Sequence, residues 1–144
     1  MKFDTNKYIR IPFEEHGRDH YGADCWGLAC IIFKEELGIE LPLMDDDYEH
    51  TKDKKISDLI KSGSVFWDLI AAGQEKAFDV AVFRMLGRPM HIGVVVKPGR
   101  MIHCERGSGV YLTDYYKEGQ WDRRLEGFYR YATSPSIASS VSPS

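Results

Sequence analysis

Three cysteines, six prolines and no long apolar run are spread over 144 residues, and each scarcity excludes something. A membrane-spanning helix needs roughly 18 consecutive apolar residues, and no segment supplies them, so no insertion into a membrane is expected. The N-terminus, Met1-Lys2-Phe3-Asp4-Thr5-Asn6-Lys7, lacks the apolar stretch of a signal peptide. Synthesis in the cytosol is the expectation, with another route to any target outside. Three cysteines cannot all pair. Cys25 and Cys30 fall on one predicted helix with Cα atoms about 8–9 Å apart, beyond disulfide reach. All three read as thiols, Cys25 reactive and Cys30 and Cys104 structural. A net charge of −3 gives no electrostatic basis for binding nucleic acid.

What is present suffices for one core, with 43% hydrophobic and 28% charged residues. Residues 8–24 read as an irregular lead-in punctuated by Pro12, Gly17 and Gly22. From Asp24 to Leu37 the pattern is helical and mostly buried, with Gly38 as the residue just past its end and Pro42 beyond. Asp45 to Lys55 is a charged, solvated loop leading to a short helix near Lys55–Lys61, with His50 exposed inside it. Strands are predicted over Phe78–Phe83, Met90–Val96, Met101–Glu105, Val110–Thr113 and Gly127–Tyr131. The sum is an α+β domain over residues 1–132, helices first and an antiparallel meander after. Residues 133–144 are Ser/Pro-rich and have almost nothing to bury, so they read as a flexible tail.

The chemistry concentrates at Asp24-Cys25-Trp26-Gly27-Leu28. Asp24 is placed to cap the helix, which puts Cys25 in the first turn, where free N–H groups and the helix dipole favour a thiolate. That placement predicts a thiol titrating below its free value of about 8.5. The Cys25 N–H is the predicted oxyanion donor, with Asp24 and Trp26 beside it in the cleft. His91 opens one strand, and His103 lies on the next. A three-residue turn, Lys97-Pro98-Gly99 with Gly99 at positive φ, would pair Val96 with Arg100 and put both histidines on one face. His91 then reads as general base and His103 as the group that orients its ring. A zinc site is disfavoured, because no close ligand pair exists and His103 and Cys104 point to opposite faces of a strand. No cofactor is needed for this chemistry. His16 and His20 have no spacing that supports a chemical role.

These residues resemble the NlpC/P60 cysteine peptidases. Asp24-Cys25-Trp26-Gly27-Leu28 is similar to the family's Asp-Cys-Ser-Gly-Leu box, and Phe78–Phe83 to its Gly-Asp-Leu segment. His91-Ile92-Gly93-Val94 matches the His-Val-Gly box, and Met101-Ile102-His103 the strand bearing the third polar residue. Leu37–Pro42 also resembles the family's segment just past the nucleophile helix. The resemblance runs from about residue 8 to 131 and implies a papain-like fold, with the nucleophile helix packed on an antiparallel sheet. It implies hydrolysis of peptidoglycan stem peptides between D-glutamate and a diamino acid, with Cys25 as nucleophile, His91 as base and His103 as orienting residue. Cys25-Trp26-Gly27-Leu28 and the Trp121…Arg124…Gly127-Phe128-Tyr129-Arg130 ending resemble the tail-assembly peptidases of tailed phages. That subtype implies a place among tail-tip proteins of the virion and local wall opening during DNA entry. Two departures stand out: Phe13 occupies the place of a family tyrosine, with Tyr21 as a candidate substitute, and Trp26 replaces serine. Two rivals share the scaffold, a structural tail module with weak or lost activity and an amidase or acyltransferase.

Overall fold

The computed structural model describes residues 3–41, 66–84 and 91–132. The predicted loop and helix over 45–61, the residue Met90 and the Ser/Pro-rich tail lie outside the described residues. The lead-in is not wholly irregular. Its two-residue strands β1 (Arg18–Asp19) and β2 (Gly22–Ala23) pair antiparallel, and Phe13 bridges to Ala23.

Helix α1 (Cys25–Ile32) comes next, continued by a π-helical turn over Phe33–Leu37. Gly38, at φ +69, ends it in the left-handed conformation expected of that position. Every residue of α1 from Trp26 to Ile32 is buried. An isolated helix this short is marginal in water, so its stability comes from packing rather than propensity. Gly27 is required by a close approach: a Cβ there would run into the Gly17 carbonyl, so the lead-in lies directly on the first turn of α1.

Six strands form one antiparallel sheet: β3 (Phe66–Ile70), β4 (Val80–Phe83), β5 (His91–Lys97), β6 (Arg100–Glu105), β7 (Gly109–Asp114) and β8 (Leu125–Ala132). A four-residue helix, α2 (Gly119–Asp122), precedes β8. Strands β4 to β7 run as the predicted meander. The last strand departs from it, because β8 returns to pair with both β4 and β3, giving the order β3-β8-β4-β5-β6-β7. Strand β3 was not predicted. Strand β4 starts at Val80, two residues later than predicted, because Phe78 takes a φ of 74 that no strand accommodates.

The two faces of the sheet have different tasks. Val80, Val82, Ile92, Val94, Ile102 and Cys104 pack with α1 in the main core. Ala81, Phe83, Val95, Met101, Tyr115, Trp121 and Phe128 form a second cluster, on the alternate positions. Odd-numbered residues of β5 and β6 therefore look away from α1.

The β5–β6 turn corrects the predicted loop. Lys97 pairs with Arg100 across a two-residue Pro98-Gly99 turn, while Val95 pairs with Met101 and Val94 with Ile102. The register shift between Val95 and Lys97 makes Val96 a bulge. One extra residue in the strand has the same effect on parity as one extra residue in the loop. Gly99 takes φ +90, as expected, and Pro98 before it suits the turn.

Candidate active site

Asp24 builds the start of α1. Its backbone is extended, and its Oδ1 accepts from the Gly27 N–H at 2.8 Å, the bond of an N-cap. The same oxygen takes the Arg18 guanidinium at 2.9 Å, and Oδ2 takes the His16 N–H at 2.9 Å. One buried carboxylate thus ties helix and lead-in together.

Cys25 is partly exposed, whereas Cys30 and Cys104 are buried. Backbone N–H groups of Ile92 and Trp26 reach its thiol. The Ile92 contact arises from how β5 and β6 separate. Val95 bonds Phe78 and Asp79 on the β4 side, so Val94 and Ile92 turn their N–H groups toward β6. The paired residues of that ladder end at Val94 and Ile102, and the Ile92 N–H lies near the Cys25 thiol, where it favours the thiolate. Cys25 therefore lies near the residue next to His91. Its resting state corrects the sequence expectation. Burial first, and the Asp24 charge second, push the thiol up to about 12, outweighing the Ile92 and Trp26 N–H groups that favour the thiolate. The thiol is neutral at rest, so a base must take its proton during attack.

His91 and His103 share the face away from α1, and their rings meet: His91 Nε2 and His103 Nδ1 lie 2.8 Å apart. His103 Nε2 in turn lies 2.8 Å from Thr113 Oγ1 on β7. Gly93 permits this, since a Cβ there would press on the Met101 sulfur and the His103 Cβ. Trp121 of α2 closes the pair off, with its ring centroid 5.1 Å from His91 and 5.0 Å from His103. With Nε2 engaged by His103, any proton transfer at His91 would go through Nδ1. For Nδ1 to accept, the His91 proton must sit on Nε2 and point at His103 Nδ1.

His103 is fully buried, and burial, with a smaller contribution from the His91 charge, lowers it to about 2 from 6.5. It is neutral near pH 7. The sign for stability is then set: below pH 6.5 the unfolded chain binds a proton that the folded one refuses. The stabilisation is complete above pH 6.5 and is lost on acidification, at about 1.4 kcal/mol per pH unit. Urea unfolding of wild type and His103→Gln from pH 7 downward tests this. The wild type is expected to lose its advantage as the pH falls, and parallel curves would contradict the assignment.

The structure brings His91 and His103 into hydrogen-bond contact and sets Cys25 near Ile92, the neighbour of His91, and it assigns Asp24 and Trp26 differently from the expectation. The Trp26 side chain is fully buried in the main core, so it is no cleft wall; only its backbone N–H faces the thiol. Asp24, 4% exposed, supports the site from beneath. Tyr21 is 88% exposed, while Phe13 packs under the Arg106 guanidinium at 4.8 Å. Thr113 and Trp121 were missed as site residues. The parity of β7 against β6 could have found Thr113, but a single threonine carries no signal of its own. No cluster of metal-ligating side chains occurs among the described residues.

Comparison with known proteins identifies the family and the fold. The NlpC/P60 family profile matches residues 10–130. The gamma-DL-glutamyl hydrolase of Bacillus subtilis (strain 168) is 26% identical over 129 residues, spanning 89% of this chain. The chain covers only 28% of that relative's length. Among solved structures, the NlpC/p60 domain of the peptidoglycan hydrolase SagA superposes with a TM-score of 0.58 at 21% identity, covering 88% of this chain and 91% of that one. An NlpC/P60 family protein from Bacillus cereus ATCC 10987 gives a TM-score of 0.61 at 19% identity, covering 86% of this chain and 36% of that one. At these identities the structures establish the fold, and the profile, which takes in the cysteine and both histidines, establishes the kinship. This chain belongs to the NlpC/P60 family.

Proposed function

We propose that this chain is an endopeptidase that cleaves the bond between D-glutamate and the diamino acid of peptidoglycan stem peptides. The observation that carries the reading is a helix-opening thiol near Ile92 with a hydrogen-bonded histidine pair that begins at the adjacent residue, His91. The bond is suggested by the motif resemblance and by the glutamyl hydrolase relative. In the proposed cycle Cys25 Sγ attacks the scissile carbonyl while His91 Nδ1 takes the thiol proton. The Cys25 backbone N–H at the start of α1 donates to the developing oxyanion. His91 then protonates the leaving amine, giving a thioester and a free diamino-acid amine. Finally His91 draws a proton from water, which hydrolyses the thioester and restores the thiol. His103 holds the His91 ring throughout.

Digestion of purified peptidoglycan followed by mass spectrometry tests the bond. Fragments ending in glutamate, with new amino termini on the diamino acid, are expected. Cleavage at the sugar–peptide amide, or intact stems, would overturn the reading. The site of action we propose is the tail tip of a tailed phage, among tail proteins and against the host cell wall. Support for this comes from the Cys25-Trp26-Gly27-Leu28 box and the Trp121 to Arg130 ending. Antibody labelling of intact virions should mark the tail tip, and label absent from virions would exclude that location.

A further inference from the structure

His103 and Thr113 meet on the face of the sheet that α1 does not cover. Met101 pairs with Thr113 and His103 with Tyr111, so Thr113 stands diagonally across the β6–β7 ladder from His103, a gap that a long side chain spans. Thr113 Oγ1 lies 2.8 Å from His103 Nε2, while His103 Nδ1 lies 2.8 Å from His91 Nε2. Both nitrogens of one ring are thus engaged, one by His91 and one by a hydroxyl. His103 is fully buried, Thr113 is 2% exposed, and the Trp121 ring packs edge-on against the imidazole. Its hydrogen bonds are therefore met by protein groups.

A neutral imidazole carries one N–H, and this line of groups offers two ways to place it. With the proton on His103 Nε2, Thr113 Oγ1 accepts it, His103 Nδ1 accepts from His91 Nε2–H, and His91 Nδ1 is bare. With the proton on His103 Nδ1, the hydroxyl donates to Nε2 and His91 Nε2 accepts, so His91 already carries its proton on Nδ1. The reaction separates the two. Once His91 has taken the thiol proton it is an imidazolium with an N–H on each nitrogen. In the first arrangement its Nε2–H still has an acceptor. In the second, two N–H groups would face each other at 2.8 Å. Only the first serves both the resting base and its charged form. It puts a buried N–H on His103 Nε2, and such a group is costly without an acceptor. Thr113 Oγ1 is the acceptor the structure supplies.

We propose that Thr113 is a positioning residue that holds His103 in its Nε2–H tautomer and thereby keeps His91 Nδ1 unprotonated and ready to accept. Its hydroxyl takes the place that a carbonyl or carboxylate commonly holds behind a histidine. This inference rests on His91 being the base, and it concerns the free enzyme as well as the reacting one.

The test is the nitrogen–proton correlation spectrum of the full chain labelled with 15N-histidine at neutral pH, without substrate. In the wild type His103 is expected as a single Nε2–H tautomer and His91 with its proton on Nε2. Thr113→Val puts a methyl where the hydroxyl stood, so His103 Nε2 faces carbon in either tautomer. A buried acceptor without a partner is tolerated better than a buried N–H, so the proton is expected to move to Nδ1, where His91 Nε2 accepts it. Thr113→Ser, which keeps the hydroxyl, should show the wild-type tautomer. With peptidoglycan, Thr113→Val is expected to lower kcat about tenfold at unchanged KM, one decade of the two to four a positioned base contributes, and Thr113→Ser should restore it. A wild-type His103 protonated on Nδ1, or the same tautomer in wild type and Thr113→Val, would overturn the proposal. A shifted tautomer with undiminished kcat would instead count against His91 as the base, so the two readings fail separately.

Discussion

Cys25→Ala is expected to abolish hydrolysis of peptidoglycan while leaving the fold as it is. Cys25 is the proposed nucleophile, and losing a nucleophile of this kind costs on the order of 10⁴- to 10⁶-fold in kcat. The side chain is small and partly exposed, so its removal creates little cavity. Thermal unfolding should move by no more than a degree or two, since surface truncations usually stay within about 0.5 kcal/mol. His91→Ala should fall to the same floor, because a thiol pushed up to about 12 cannot ionise unaided near neutrality. His103→Ala should retain part of the activity, because it transfers no proton. Residual turnover in Cys25→Ala above a few per cent would require another nucleophile, and equal losses in the two histidine variants would mean their roles are shared. Single-turnover assays on purified peptidoglycan, run with calorimetry on the same samples, decide both.

The sequence carried this site unevenly, for physical reasons. The cysteine and its helix were legible because an acid, a small turn of exposed N–H groups and an apolar run each point to the same boundary. The histidine pair was legible through parity, since both rings need one face and only an odd extra residue between them provides it. Parity cannot say where that residue sits, and a bulge at Val96 satisfies it as well as a longer loop. Strand β3 was missed because Phe66-Trp67-Asp68-Leu69-Ile70 does not alternate, and Leu69, 70% exposed, shows why: the strand lies at the edge of the sheet. The thiol was misjudged because local reasoning sees the helix terminus and not the strands around it. Burial of the thiol and the neighbouring carboxylate exist only after folding, and they decide the sign.

Asp24 shows the same conflict within one residue, and replacing it is expected to have the largest effect on stability. Asp24→Ala removes the acceptor for Gly27 N–H, His16 N–H and the Arg18 guanidinium together, at 2.8, 2.9 and 2.9 Å. Loss of the helix cap alone costs about 1 kcal/mol. The larger part comes from Arg18, whose side chain is only 12% exposed and would be left without its carboxylate, a situation that costs about 3–5 kcal/mol. Arg18 keeps its bond to the Gly17 carbonyl at 2.8 Å, which places the expected total near the lower end of that range. Asp24→Asn should cost less, because the amide oxygen can still cap the helix. Acidity should move the other way. The Asp24 charge is the second contributor to the raised Cys25 thiol, so Asp24→Asn is expected to bring that thiol down while it destabilises the fold. Urea titrations measure the first effect, and the pH dependence of iodoacetamide alkylation at Cys25 measures the second. An unchanged unfolding midpoint in Asp24→Ala would remove the buried ion pair from the account. An unchanged alkylation profile in Asp24→Asn would show that burial alone holds the thiol neutral. If both shifts appear together, the carboxylate that assembles the start of α1 also keeps its nucleophile quiet until His91 accepts the proton.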